Sequence, residues 1–134
     1  MARLILDTGV LIAAVRGRLD LTAMADEDDI ALPAVALAEY QAGVLGDEVP
    51  ARQAQQRAFL AEVLQVVPVL DYDAHVAEQH AALLAATRQA GLKRGAHDLL
   101  IAATARASDR VLVTTDTKAG FDELPGVQAR LLTP

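Results

Sequence analysis

Four acidic residues stand where acids are costly or out of place: Asp7, Glu39, Asp98 and Asp116. Arg3-Leu4-Ile5-Leu6 reads as a short buried strand ending at Asp7, and Val111-Leu112-Val113-Thr114 as another ending just before Asp116. In an open parallel sheet, ligands bind beyond the carboxyl ends of the strands, so these two acids face one edge. Glu39 lies in Val35-Ala36-Leu37-Ala38-Glu39-Tyr40-Gln41-Ala42-Gly43. Its neighbours three and four positions away are apolar or small, which places it on a helical face expected to pack on the sheet. Asp98 has Ile101 and Ala102 at the same spacing. A carboxylate on an apolar stripe is unfavourable unless a proton, a cation or hydrogen bonds compensate it.

Converging carboxylates define a chemistry. Two such charges at about 4 Å repel by ~4 kcal/mol at an effective dielectric of about 20. A divalent cation among them removes that repulsion. Oxygen donors without Cys or paired His select Mg²⁺ or Mn²⁺ over Zn²⁺. Such an ion activates water and neutralises charge on a phosphate, so the residues point to metal-dependent phosphodiester cleavage. A plainer reading stands beside this one. Asp7 and Asp98 also fit helix capping or the helix dipole. A rotated helix turns Glu39 to water, and Asp116 alone reads as a turn residue.

The elements that must position these acids alternate. Thr8 to Val15 reads as a helix after the first strand. Asp26-Glu27-Asp28-Asp29 reads as a charged, solvated turn, and Ile30-Ala31-Leu32 as a second strand closed by Pro33. Helices are expected over 34–45 and from Pro50 to about Gln65, with a third strand over Val66 to Leu70. Asp73 is placed as the N-cap of a long helix ending near Gly91, and His97 to Ala107 as a further helix. One helical turn over Phe121 to Leu124 and an edge strand over Val127 to Leu132 complete the pattern. Alternating strands and helices imply an α/β fold with a mainly parallel sheet covered on both faces.

Composition sets outer limits. The chain has 134 residues, room for one domain over 1–134, and a net charge of −6. Hydrophobic residues make up 53%, so disorder is excluded as the main state. Aromatics are only 3% while alanine fills 28 positions, which implies an aliphatic core with close helix contacts. There is no Cys, so disulfide and Cys–zinc scaffolds are excluded and a reducing cytoplasm is compatible. No apolar run reaches membrane-spanning length, and no signal peptide precedes the first strand, so a cytoplasmic location without a membrane is expected. The acidic balance argues against nucleic-acid binding through a broad basic surface. Lys93 and Arg94, between Gly91 and Gly95, fit either a phosphate contact or a solvated loop. His97 reads as a surface histidine beside Asp98.

With these segments in hand, Leu4 to Ile12 resembles the opening of PIN-domain ribonucleases. Leu37 to Gly43 resembles their second acidic motif, His97-Asp98-Leu99-Leu100-Ile101-Ala102-Ala103-Thr104-Ala105 their third, and Val111 to Asp116 through Gly120-Phe121 their fourth. The size and style are similar to VapC-type toxins of toxin–antitoxin pairs. The resemblance implies a PIN-like three-layer domain with a five-stranded parallel sheet in the order 3-2-1-4-5. It also implies Mg²⁺ or Mn²⁺ held by Asp7, Glu39, Asp98 and Asp116, with Asp7 and Asp98 as direct ligands, and hydrolysis of single-stranded or looped RNA. Asp122, just after Phe121, offers a second choice for the fourth acid, since many relatives carry Asn at position 116. Gly9 departs from the polar residue frequent in relatives. Thr8 and Thr115 offer hydroxyls to water or phosphate. A cognate VapB-type antitoxin and a homodimer are further implications. Two rival classes are a receiver-like phosphoacceptor module and a catalytically inactive partner-binding PIN domain.

Overall fold

The first strand of the chain lies at the centre of the sheet. The computed structural model describes residues 1–134. In chain order the elements are β1 (Arg3–Leu6), α1 (Thr8–Val15), α2 (Leu21–Glu27), β2 (Asp29–Pro33), α3 (Ala34–Leu45) and α4 (Pro50–Val66). Then come β3 (Val69–Leu70), α5 (Ala74–Ala90), α6 (Ala96–Ser108), β4 (Val111–Thr114), a 3-10 turn (Phe121–Glu123) and β5 (Ala129–Leu131). The sheet order is β3-β2-β1-β4-β5, all parallel, as expected. A receiver-like module instead has the order 2-1-3-4-5, so the topology removes that rival.

Alternation along the strands divides the core into two layers. Leu4 and Leu6 of β1 and Val113 of β4 pack with Val10, Leu11, Tyr40, Leu60 and Val63 on one face. Ile5 and Leu112 pack with Leu83, Leu99, Ile101, Ala102 and Phe121 on the other. Both faces of β1 are therefore covered, which is why it reads as a continuous apolar run.

Three segments differ from the sequence reading. The acids 26–29 are not a solvated turn. Asp26 and Glu27 end α2, whose N-cap Asp20 accepts from the Ala23 N–H at 3.1 Å. Asp28 accepts from the Ala2 N–H at 2.8 Å, and Asp29 opens β2. Helix α2 buries only Leu21, so no apolar stripe announces it. The third strand is two residues rather than five. Helix α4 continues through Val66, and Pro68 then forces Val67 into an extended conformation. The last strand pairs only over Ala129–Leu131.

Arg110 binds the amino-terminal end of the sheet together. Its Nη1 donates to Leu4 O at 3.1 Å and Asp29 O at 2.9 Å, and it reaches the Asp29 carboxylate at 3.2 Å. Arg110→Ala is expected to lower the unfolding free energy by about 2 kcal/mol, because buried acceptors lose a charged donor. Urea denaturation measures this, and an unchanged midpoint would show the clamp to be neutral.

Candidate active site

Parallel pairing of Leu6 with Val113 brings the next residues of both strands together. The Asp7 N–H donates to Val113 O at 2.9 Å, and Asp7 caps α1. Its Oδ1 accepts from the Thr8 N–H at 2.8 Å, and its Oδ2 accepts from the Thr114 hydroxyl at 2.8 Å. The same Thr114 oxygen accepts from the Asp116 N–H at 3.0 Å. Asp116 in turn accepts from the Lys118 N–H at 2.8 Å, as a turn residue does. Thr114 was missed from the sequence as a site residue. The signal was its place beyond Val113, one step past the residue paired with Leu6.

Two helices bring the other acids to the same edge. Glu39 projects from α3, where its Oε1 accepts from the Thr8 hydroxyl at 2.9 Å. Its Oε2 lies 3.2 Å from His97 Nδ1 on α6. His97 is thus a partner of Glu39 rather than an isolated surface histidine. Asp98 occupies the first turn of α6. Burial pushes the Asp7 carboxyl up; hydrogen bonds from Thr114 and Thr8 oppose this, and the charges of Glu39 and Asp116 add to it. Burial also pushes Asp98 up, followed by the charges of Asp7, Asp116 and Glu39, with His97 opposing. The four acids therefore share one electrostatic neighbourhood.

The other candidates separate. Asp122 lines a depression with Thr114 and Asp116, whereas the charges that raise Asp7 and Asp98 come from the four acids themselves. Lys93 is exposed. Arg94 is committed elsewhere: Nη1 donates to Ala119 O at 2.6 Å and Gly120 O at 3.0 Å, and Nη2 to Glu123 at 3.1 Å. It fastens the α5–α6 loop to the loop after β4, so its guanidinium is not free for phosphate. Gly120 at φ +61° leaves room for it, since a Cβ there would press on Nη1. The Thr115 hydroxyl occupies the space that a side chain at Gly9 would need. That contact accounts for the departure at position 9.

Carboxylate oxygens are the donor type that a hard cation takes. No Lys or Arg forms an ion pair with Asp7, Glu39, Asp98 or Asp116, so their mutual repulsion has no built-in basic partner beyond His97. As they stand, no three acidic or histidine side chains are gathered tightly enough to ligate one ion together. One or two direct carboxylates with retained waters is the mode Mg²⁺ ordinarily takes.

Two outcomes follow for the metal-free chain. Asp7 and Asp98 hold protons more tightly when folded than at their ordinary value of 3.8. Folding therefore takes up protons, and this contribution to stability is lost as pH rises from 3.8 through the raised folded values. Asp98→Asn removes one strained charge. Its Tm at pH 7 should exceed that of the unmodified chain by a few degrees, with a flatter decline with pH, as thermal denaturation in EDTA measures. An equal Tm would mean the charge carries no strain. Separately, Arg94→Ala should lower stability by about 1–2 kcal/mol through its lost hydrogen bonds. Lys93→Ala should leave stability unchanged in the same denaturation assay.

The PIN domain family pattern matches residues 4–127. The chain is 30% identical over 127 residues to Ribonuclease VapC2 of Rickettsia felis, covering 91% of this chain and 92% of that one. It is 27% identical over 125 residues to Ribonuclease VapC of Rickettsia bellii, covering 93% and 92%. Among solved structures, VapBC2 from Rickettsia felis bound to a promoter DNA fragment superposes with a TM-score of 0.86 at 27% identity, covering 98% of this chain and 99% of that one. VapBC-5 of Mycobacterium tuberculosis gives 0.80 at 30% identity, covering 98% and 100%. With a match that runs from the first strand past the 3-10 turn, this chain belongs to the PIN domain family.

Proposed function

We propose that this chain is a divalent-metal-dependent endoribonuclease toxin of the VapC type. It hydrolyses single-stranded or looped RNA in the cytoplasm and is restrained by a cognate VapB-type antitoxin. The observation that carries this reading is the electrostatic coupling of Asp7, Glu39, Asp98 and Asp116 at one sheet edge without a Lys or Arg among them. The relatives' names, Ribonuclease VapC and VapC2, give the substrate class, and the VapBC complexes give the partner class.

The residues that would hold Mg²⁺ or Mn²⁺ are Asp7 and Asp98, with Glu39 and Asp116 reaching it directly or through water. Such an ion, when bound, supplies activated water and charge neutralisation at phosphorus. The chain's own groups do the rest. Thr114 holds Asp7 and the Asp116 backbone at a fixed separation. Thr8 holds Glu39 beside Asp7. A cleft leading from Glu39 past Arg16 and Tyr40 offers the substrate strand a path. Pairing of two copies would join two such sites along one RNA, and the acidic edge would attract a basic side chain of the antitoxin. The acids are present at all four motif positions, which favours an enzyme over an inactive binding module.

Asp7→Asn and Asp98→Asn should each lower metal-dependent RNA cleavage about 100-fold or more while remaining folded. EDTA should abolish cleavage, and Mg²⁺ or Mn²⁺ should restore it. Mapping new RNA 5′ ends after brief induction, against Asp98→Asn, identifies the target. Full cleavage by both variants would overturn the assignment.

A further inference from the structure

Glu39 is held by one hydrogen bond and contacted by a histidine on its other oxygen. The Thr8 hydroxyl donates to Oε1 at 2.9 Å, and His97 Nδ1 stands 3.2 Å from Oε2. Thr8 directly follows Asp7, and His97 directly precedes Asp98. Each contact therefore comes from a backbone neighbour of one of the two acids assigned to the ion. Glu39 is repelled by both, because its charge raises the carboxyls of Asp7 and Asp98. A long, flexible carboxylate in that field swings away unless something holds it. Thr8 holds one oxygen. The His97 ring stands within contact distance of the other oxygen.

We infer that His97 is a positioning residue for the metal-dependent reaction, holding Glu39 toward Asp7 and Asp98 and so setting ion affinity and turnover. This rests on the functional reading above. The His97 side chain is 60% exposed and Glu39 is 31% exposed, so the pair contributes little to the core. An exposed ion pair of this kind adds little to stability. A merely structural role would therefore leave turnover and ion affinity unmoved, whereas a positioning role moves both.

The test uses the full chain with Mn²⁺ alone and with a fluorogenic single-stranded RNA. His97→Ala should weaken Mn²⁺ binding by calorimetry and lower kcat, each about 10–100-fold, the range for residues that orient metal ligands. KM for the RNA and Tm should stay close to those of the unmodified chain. His97→Asn, which places an amide N–H near the position of Nδ1, should recover most of the loss. In a Glu39→Gln background, His97→Ala should add nothing. In metal-free protein, long-range ¹H–¹⁵N spectra of the ring should show hydrogen on Nδ1, with a shift in Glu39→Gln. Wild-type Mn²⁺ affinity and kcat in His97→Ala, an undiminished loss in the Glu39→Gln background, or an effect confined to KM would each overturn the inference. If the unmodified chain cleaves no RNA, the functional reading fails, while Mn²⁺ affinity and the ring spectra still decide the role of His97.

Discussion

A carboxylate at the end of the central strand must stay buried without a basic neighbour, and the site is arranged around that constraint. Asp7 is only 9% exposed, and the surrounding charges are those of Glu39 and Asp116. What keeps it in place is dipolar: the Thr8 N–H at the start of α1 and the Thr114 hydroxyl. Both exist because of register. Pairing Leu6 with Val113 makes Thr114 the lateral neighbour of Asp7, and the strand-to-helix turn at residue 7 aims the α1 backbone at it. Moving β4 by one residue would replace Thr114 with Val113 or Thr115 and reverse every inward side chain. The apolar pattern of the strands thus protects the chemistry as well as the core.

Small residues line the helices that carry the acids. Helix α6 buries Ala102, Ala103 and Ala105 alongside Leu99 and Ile101, and Asp98 in its first turn feels the charge of Asp7 at the end of β1. Gly9 is another such residue, on α1. With no side chain there, the Thr115 hydroxyl approaches the helix and the loop after β4 settles against it. Small residues therefore permit close approach at the acidic edge, at Gly9, as well as in the core.

Most of the fold was legible because it rests on two local signals. Short apolar runs ended by Asp, Pro or Thr gave the strands, and the long helices carry clear boundary residues such as Pro50, Asp73 and Gly91. The four acids were legible because a carboxylate on an apolar face conflicts with local pattern, and such conflicts collect at functional sites. Three things were not legible. Helix α2 has one buried residue and hence no stripe. Arg94 looked available for phosphate because its partners, Ala119, Gly120 and Glu123, lie across a tertiary contact no spacing rule reaches. His97 looked ordinary for the same reason, since Glu39 is 58 positions away in the chain and meets it only through the packing of α3 and α6.

The fate of the arginines bears on how an acidic chain meets RNA. Arg94 and Arg110 bind backbone carbonyls and an acid, Arg106 binds Pro125 O, and Arg52 is held by Asp47. The Asp47 carboxyl is pushed down to about 2, first by its hydrogen bond from Arg52. These four guanidinium groups fasten loops and strands, so a third of the 12 Lys and Arg side chains is occupied by the chain itself. Phosphate attraction from the other basic side chains works against a net charge of −6. An edge of clustered carboxylates attracts a divalent cation or a basic side chain, and either one lowers the negative potential that a phosphate meets there.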